Sequence, residues 1–451
     1  MGVVEKTTLA ALLLGVSAPA LAQSDAMSGE GAANAEQIAE VSPDASIEAE
    51  TGIDAATEVA VNETGDPETD PASFQVDGMP QIVSAPSGPE PIYPPYTGSY
   101  DPEDEDERGI WQQMEELERK AIARKDVIRD DSLSGYLQDV LCETVGPERC
   151  TGVRIYVLRD ASFNAGMYPN GMMIVHSGAL LRLRSEAELA FMLGHEFAHF
   201  EERHGLQSFK KARAATDIAI FASSFGMIGS LVGLLAISDL FTFSREQEKE
   251  ADMLSSEFLA ASPYTPRASA DVWVRMLDED AARAVERDRR AKGKKTGWLD
   301  SHPAPFVRAT YLDRSEEFAE AEGEDRRDRY AMAMRPFLTD FFDDQLQRND
   351  FAASEYIVEE MAAGNWDADL LLLRGELYRN RGEPEDLATA IEAYSQAIEL
   401  GNTDPRTWRG LGLAHMRAGA RVQGQEALKT YLEMEPDAPD APMMSMMIGV
   451  N

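Results

Sequence analysis

Basic side chains are missing from a long part of this chain. Residues 7–107 contain no lysine or arginine, and the formal net charge of the 451 residues is -38. Binding to nucleic acid needs a basic surface that neutralises phosphates, so we expect no nucleic acid partner. Residues 23–107 are also poor in large apolar side chains and rich in Ala, Glu, Asp, Pro, Gly and Ser. That composition predicts an acidic disordered segment.

Cysteine is nearly absent. The chain has two, Cys142 and Cys150, eight positions apart around a Gly-Pro pair. They do not have Cys-x-x-Cys spacing, which argues against a cysteine-ligated metal. The even count predicts one disulfide across a turn, with two free thiols as the alternative.

The N-terminus has the features of an export signal. Lys6 precedes an apolar stretch at residues 9–16, and a small-x-small pattern follows at residues 20–22. This order is typical of a secretory signal peptide cleaved near Ala22. We therefore expect residues 1–22 to be removed and the mature protein to be exported, which suits a disulfide.

One long uncharged stretch covers residues 218–237. Twenty residues are enough to cross a membrane as a helix. The stretch contains several Gly and Ser, however, and lies inside what must be one catalytic unit. We therefore favour a buried helical hairpin beside the active site; membrane insertion or peripheral membrane contact remains an alternative.

The sequence His195-Glu196-Phe197-Ala198-His199 carries the clearest chemistry. On a helix, His195 and His199 lie one turn apart on the same face, where both imidazoles reach one zinc ion. Glu196 then lies beside the open coordination position and can act as the general base for a water molecule. With only six histidines in the chain, chance produces this pattern rarely. The motif predicts a zinc-dependent peptidase.

A third metal ligand is available in a later acidic segment. Glu248 and Asp252 share one face of a predicted helix that begins at Ser244. We expect Glu248 to complete a His/His/Glu site and Asp252 to accept a hydrogen bond from a ligand histidine. Glu246 and Glu250 compete with Glu248, and only their spacing disfavours them.

Three segments together resemble a known peptidase family: the His195 to His199 motif, Ser244 to Asp252, and Ser301-His302-Pro303 with Arg308. They are similar to the HtpX, BepA and CaaX-prenyl endopeptidase family, and the exported chain with a repeat-like tail is most similar to its BepA-like periplasmic branch. The resemblance implies zinc at His195, His199 and Glu248, with Glu196 as general base. It also implies a periplasmic role in proteolytic quality control of envelope proteins.

Further candidate residues come from position along the chain. His302 is a second catalytic candidate, which would stabilise the transition state or act as a latch on zinc; a plain surface loop is the alternative. Extended peptides commonly bind at an exposed sheet edge. We expect residues 172–175, a predicted strand, to be that edge, with Asn164, Met172 and Ile174 in contact with substrate.

The other histidines have weaker prospects as functional residues. On a helix predicted to run from Ser185 to about His204, His204 falls on the face opposite His195, so we expect a surface position. His176 follows the predicted edge strand, where a structural role is favoured. His415 has no catalytic context.

The last third of the chain contains helical repeats of the tetratricopeptide type. Two units are marked by residues at characteristic spacing: Leu371, Gly375, Tyr378, Gly382, Ala390, Tyr394 and Ala397 in the first, and Trp408, Leu411, Gly412, Gly419, Leu428 and Pro436 in the second. We expect an α+β fold: a mostly helical zincin-like domain with a small sheet at residues 108–330, then a tetratricopeptide domain at residues 331–440 and a tail at residues 441–451.

These features together predict a zinc endopeptidase that acts on unfolded or misassembled exported proteins and binds a protein partner through its repeats. One alternative is a chaperone-like scaffold that works through the repeats, with latent proteolysis. The other is a membrane-embedded processing peptidase, which would require residues 218–237 to insert.

Overall fold

A computed structural model of the protein describes residues 105–215, 243–290, 305–313, 318 and 322–449. The predicted export signal, most of the acidic segment, the apolar stretch at residues 218–237 and His302 lie outside the described residues. The described residues all belong to one compact unit, Pro86–Asn451.

The N-terminal half of the described chain contains six helices and four short strands. The helices are α1 (Glu105–Ile122), α2 (Asp131–Val145), α3 (Pro147–Cys150), α4 (Ser177–Arg182), α5 (Glu186–Glu201) and α6 (His204–Ala215). The strands are β1 (Val127–Ile128), β2 (Arg154–Leu158), β3 (Ala165–Met167) and β4 (Met172–His176).

Helices alone make up the regular structure of the remaining described residues, apart from a 3-10 turn at Arg335–Phe337. In chain order they are α7 (Arg245–Ala260), α8 (Ala268–Arg290), α9 (Pro305–Asp313), α10 (Arg327–Met334), α11 (Leu338–Leu346), α12 (Phe351–Ala362), α13 (Ala368–Arg381), α14 (Asp386–Glu399), α15 (Pro405–Arg417), α16 (Arg421–Met434) and α17 (Ala441–Ile448). None of the helices within the described ranges has the length and apolar character needed to cross a membrane.

The four strands form one mixed sheet in the order β1-β2-β4-β3. β2 and β4 are parallel, while β1 and β3 pair antiparallel to their neighbours. All five residues of β4 are buried, because both faces of the sheet are covered. One face packs against the main core with α2 and α5, and the other packs against α1 and α6. The predicted α+β class, mostly helical with a small sheet, is therefore confirmed.

The sheet order corrects one prediction. The strand expected at residues 172–175 exists as β4, but it lies between β2 and β3 and is not an edge. The edge beside the metal helix is β3, a strand of three residues, Ala165–Met167. Its short length and its Gly166 gave no alternation pattern from which a strand could be predicted.

A disulfide closes the turn between α2 and α3. Cys142 and Cys150 are joined with an S–S distance of 1.97 Å and a Cα–Cα distance of 5.2 Å. Between them, Gly146 has φ = 94°, a backbone conformation that side chains disfavour.

The C-terminal helices form antiparallel hairpins, α13 with α14 and α15 with α16. Tyr394 is buried where Gly375 and Gly410 approach it; a Cβ on either glycine would come within 2.5 Å of its ring. Of the predicted repeat positions, Gly375 and Tyr394 therefore form a close-packing contact between adjacent helices. This arrangement is consistent with tetratricopeptide units. The division predicted between residues 330 and 331 stays a prediction.

Candidate metal centre

Helix α5 carries both histidines of the His-Glu-x-x-His motif. The Ser185 hydroxyl caps its N-terminus by accepting from the Glu188 backbone N–H, which fixes where the helix starts. His195 and His199 follow one turn apart, and both are almost completely buried. Their Nε2 atoms lie 3.1 Å apart, so the two nitrogens converge on one point.

Glu248 brings a carboxylate to the same point from α7. A capping box of Ser244 and Gln247 starts this helix, so Glu248 stands in its first turn. Its carboxylate oxygens lie 3.6 Å from Nε2 of His195 and 3.7 Å from Nε2 of His199. Glu248 is fully buried, whereas Glu246 is exposed.

The three residues fit a bound metal ion. One ligand atom from each of His195, His199 and Glu248 lies within 4.8 Å of the others. Donor atoms bound at zinc distances in a tetrahedral site lie about 3.3–3.6 Å from one another. The two Nε2 atoms are 3.1 Å apart, and each lies near one Glu248 oxygen, 3.6 Å from His195 Nε2 to Oε2 and 3.7 Å from His199 Nε2 to Oε1, which is close to that spacing. Two imidazoles and one carboxylate are also the ligand set of many catalytic zinc sites, which leave one position open.

Asp252 contacts His195 at Nδ1, the ring nitrogen opposite the one that faces the other ligands. It lies one turn after Glu248 on α7 and is fully buried, and its Oδ1 is 3.0 Å from Nδ1 of His195. Burial opposes ionisation of Asp252, but the Arg308 charge and the His195 hydrogen bond outweigh it and hold the pKa of Asp252 below its usual value. This is the contact expected from the sequence, and it directs Nε2 of His195 toward Glu248.

Arg308 on α9 connects the two carboxylates. Its Nε donates to Asp252 at 2.7 Å and its Nη1 lies 3.1 Å from Glu248. The guanidinium stacks over Trp273 of α8 at 3.8 Å, and Tyr311 also donates to Asp252. Burial and the nearby Arg308 charge lower the pKa of His195, which favours the neutral imidazole that binds a metal. Trp273 and Tyr311 gave no signal in the sequence.

Glu196 lies between the metal ligands and the sheet. It is buried, and the backbone N–H of Met167 in β3 is close enough to favour its charged form. Burial and the neighbouring Glu248 charge raise the pKa of Glu196 to about 8. A carboxyl in this state exchanges a proton readily near neutral pH, as a general base requires.

Two residues expected to contact substrate are placed elsewhere. Met172 and Ile174 are buried in the second core, packed with α1 and α6 on the sheet face away from the main core. Their side chains point away from the proposed substrate position because they face α1 and α6, which cover this side of β4. Asn164 immediately precedes the true edge strand, and its carbonyl accepts from His176 N–H at 3.0 Å.

His204 and His176 are both buried. His204 does not lie on the surface, because α5 ends at Glu201 and a turn at residues 202–203 redirects the chain. His204 contacts His199 and Glu250, so Glu250 is not a competing metal ligand. His176 bonds the Ser162 hydroxyl through Nδ1 at 2.8 Å, which is the structural role that was favoured.

Comparison with known proteins identifies the class of this site. Residues 132–316, which contain all three candidate ligands, match the family model of peptidase family M48. This part of the chain is a member of that metallopeptidase family. The predicted family resemblance is therefore confirmed.

Individual relatives cover only part of the chain. Mitochondrial metalloendopeptidase OMA1 of Schizosaccharomyces pombe is 32% identical over 35% of this chain and 45% of its own length. The putative beta-barrel assembly-enhancing protease of Vibrio cholerae is 28% identical over 41% of this chain and 39% of its own length. Metalloprotease LoiP of Escherichia coli K12 is 26% identical over 35% of this chain and 60% of its own length. The chain thus spans less than two thirds of each of these relatives.

Proposed function

We propose that this protein is a zinc-dependent endopeptidase that hydrolyses peptide bonds in unfolded or misassembled exported proteins. The observation that carries the proposal is the position of Glu196, which lies beside three buried donor atoms within 4.8 Å of one another and next to β3, an edge strand of the sheet that the described residues form.

Different residues of the site would bind the metal ion and transfer the proton. His195, His199 and Glu248 would hold zinc, which when bound acidifies a water molecule and polarises a carbonyl. Glu196 accepts the proton of the attacking water at its carboxylate and later donates it to the leaving amine. Asp252 and Arg308 keep His195 and Glu248 in register for that step.

Among the described residues β3 is an edge strand, which supports binding of an extended peptide. Asn164 O and Tyr168 N bond to β4, so the backbone groups of Ala165 and Met167 alternate to the other side. There, Met167 N–H lies near Glu196. We expect Met167 C=O and both backbone groups of Ala165, which point away from β4, to pair with a substrate strand. Such pairing is independent of sequence and suits unfolded chains.

A cavity beside His195 and Glu196 indicates a preference for apolar substrate side chains. Its other lining side chains are all apolar: Phe163, Ala165, Phe191, Met192, Val272 and Trp273. These residues belong to α5, α8, β3 and the segment just before β3. The cavity therefore opens where the side chain of a residue next to the scissile bond would lie. We expect cleavage beside apolar residues, which folded proteins bury and misfolded ones expose.

Cellular role and partners are proposed on the sequence features. The export signal and the disulfide support a periplasmic location, and the name of the Vibrio cholerae relative refers to beta-barrel assembly. The helical hairpins support a tetratricopeptide domain that binds a protein partner. The catalytic role of His302 and membrane contact through residues 218–237 stay predictions.

The test is cleavage of an unfolded protein by the mature chain and by a Glu196→Gln variant, with and without a chelator. We expect only the wild type to cut, chelation to stop it and zinc to restore it. Mass spectrometry of the products should find apolar residues at the cut sites. Metal-independent cutting, or equal cutting by the variant, would overturn the proposal. Zinc binding without cutting would favour the scaffold function.

A further inference from the structure

His204 occupies a special position relative to the metal ligands. It is 1% exposed, and its ring centroid lies 5.1 Å from that of His199. The Nδ1 atoms of His204 and His199 are 2.9 Å apart. Nε2 of His199 points at His195 and Glu248, so His204 contacts the opposite side of the His199 ring.

A left-handed residue produces this position. His204 follows His195 by nine positions, and 3.6 residues per turn would place it on the opposite face of a continuous helix. Instead, Arg203 has φ = 54°, a conformation that side chains disfavour and that persists only where its surroundings impose it. The turn starts α6 and brings His204 back against His199. Strained backbone of this kind is concentrated at functional sites.

The hydrogen-bonding groups fix the tautomers. If Nε2 of His199 binds a metal, its proton lies on Nδ1, which must donate to Nδ1 of His204. The proton of neutral His204 is then on Nε2, which lies 3.2 Å from Oε2 of Glu250. In this series of hydrogen bonds each N–H meets one acceptor. The series ends at the Glu250 carboxylate, whose side chain is 56% exposed.

We propose that His204 and Glu250 form a positioning pair that orients the metal ligand His199, as Asp252 orients His195. The pair sets the tautomer and the rotation of the His199 ring, while Phe243, stacked on the ring at 3.9 Å, covers its face. The inference rests on the proposed function in one respect, that His199 binds a divalent metal ion.

A direct metal-binding role for His204 does not fit the geometry. The His204 nitrogens lie beside Nδ1 of His199 and Glu250, not beside the Nε2 atoms. Within the described parts of the chain, the group able to hold a metal consists of His195, His199 and Glu248. His204 therefore acts through His199, and its effect should be seen in metal affinity and in the environment of the His199 Nδ1 proton.

The experiment measures zinc affinity by competition with a chromophoric chelator, using the full mature chain. We expect His204→Phe, which fills the space without accepting a hydrogen bond, to weaken zinc binding about 10- to 100-fold. His204→Asn keeps an acceptor near the position of Nδ1 and should recover most of that loss. Glu250→Ala should weaken binding several-fold, and Glu250→Gln, which keeps an acceptor, should lose less. Glu257→Gln, an exposed change on the same helix, is the matched control.

Proton NMR of the cobalt-substituted protein adds a readout that a merely structural role would not move. Wild type should show two exchangeable, paramagnetically shifted protons, the Nδ1–H of His195 and of His199. In His204→Phe, the His199 signal should be lost to solvent exchange while the His195 signal stays. If both signals persist and His204→Phe and Glu250→Ala bind zinc as tightly as wild type, the inference is wrong. If wild type itself binds neither zinc nor cobalt, the proposed function fails as well.

Discussion

At the scale of single residues, the centre depends on charges that are buried together. Arg308, Asp252 and Glu248 are each fully shielded from solvent. A buried ion pair contributes little net stability, but removal of one partner is costly because the other charge stays buried. Arg308 is therefore needed to compensate the two buried carboxylates.

Arg308→Met tests this dependence. Without the guanidinium, Asp252 and Glu248 face each other across one helical turn with no cation. We expect a loss of about 3–5 kcal/mol in the free energy of unfolding, measured by urea denaturation with a chelator present so that metal binding does not contribute. Arg308→Lys keeps a charge but not the two-pronged geometry, so its loss should be smaller. Equal stability of Arg308→Met and wild type would contradict this account.

Residues in one helical turn were the most predictable part of the site. His195, Glu196 and His199 share a helix, and so do Glu248 and Asp252, so spacing alone gives their geometry. His204 was misplaced because one left-handed residue, Arg203, breaks the periodicity, and nothing in its side chain signals that conformation. Trp273 and Tyr311 reach the site by tertiary packing, which has no local pattern.

At the scale of elements, the metal site depends on the separation of α5 and α7. Gly194 directly precedes His195, and a Cβ at this position would lie 2.7 Å from Ser255 Oγ of α7 and 3.4 Å from Thr144 of α2. The Ser255 hydroxyl is already bonded to Phe191 O at 2.8 Å. The absence of a side chain at Gly194 therefore lets the two ligand-bearing helices approach.

Gly194→Ala should push these helices apart. We expect a loss of about 1–3 kcal/mol in unfolding free energy from overpacking and a decrease of about tenfold in zinc affinity, because His195 moves relative to Glu248. Gly135→Ala is the matched control, since Gly135 is in helix α2 with open space around it. It should stabilise the protein by about 0.4–1 kcal/mol. Unchanged zinc affinity in Gly194→Ala would show that the helix separation is not critical.

Elements differed in how well sequence predicted them. The capped helices and the apolar strand β4 were found, because Ser185, Ser244 and the run of apolar residues mark them. The edge strand β3 was not, because an edge of three residues is defined by its partner strand and not by its own composition. The prediction that Met172 and Ile174 contact substrate depended on strand order, and the structure places both in the second core; for Asn164 it stays a prediction.

At the scale of the whole molecule, a buried arginine joins the peptidase helices to the C-terminal helices. Arg182 of α4 bonds Glu279 of α8 at 2.9 Å and Gln345 of α11 at 3.0 Å. The side chains of Arg182 and Glu279 are 3% and 1% exposed. The Arg182–Gln345 hydrogen bond thus connects the two predicted domains, while the Arg182–Glu279 ion pair lies within the first of them.

Glu279→Ala should destabilise the protein strongly. Arg182 would remain buried without its counter-charge, at a cost of about 3–5 kcal/mol in chemical denaturation. Glu433→Ala is the control, because its pair with Lys429 is exposed on both sides, 71% and 67%, and should change stability by about 0.5 kcal/mol or less. If both variants unfold at the same denaturant concentration as wild type, the buried ion pair does not stabilise the fold.

The C-terminal helices should also respond to pH. Burial and the Glu376 charge raise the pKa of Asp343 on α11 to about 7 from its usual 3.8. Between these values the folded protein keeps a proton that the unfolded chain releases, so stability should fall as pH rises through this window. About a third of the side chain is exposed, at 35%, so the effect should be about 1 kcal/mol or less. Asp343→Asn should reduce the difference in melting temperature between about pH 5 and pH 8; an unchanged difference would contradict the prediction.

The most direct test of the central claim is a zinc titration of the chelated, mature protein that follows the rate of cleavage of an unfolded protein. The cleavage rate should rise linearly and level off at one zinc ion per chain. Glu196→Gln should bind the same amount of zinc without cleavage. Cleavage before any zinc is added, or full occupancy of the site in wild type without cleavage, would contradict the account.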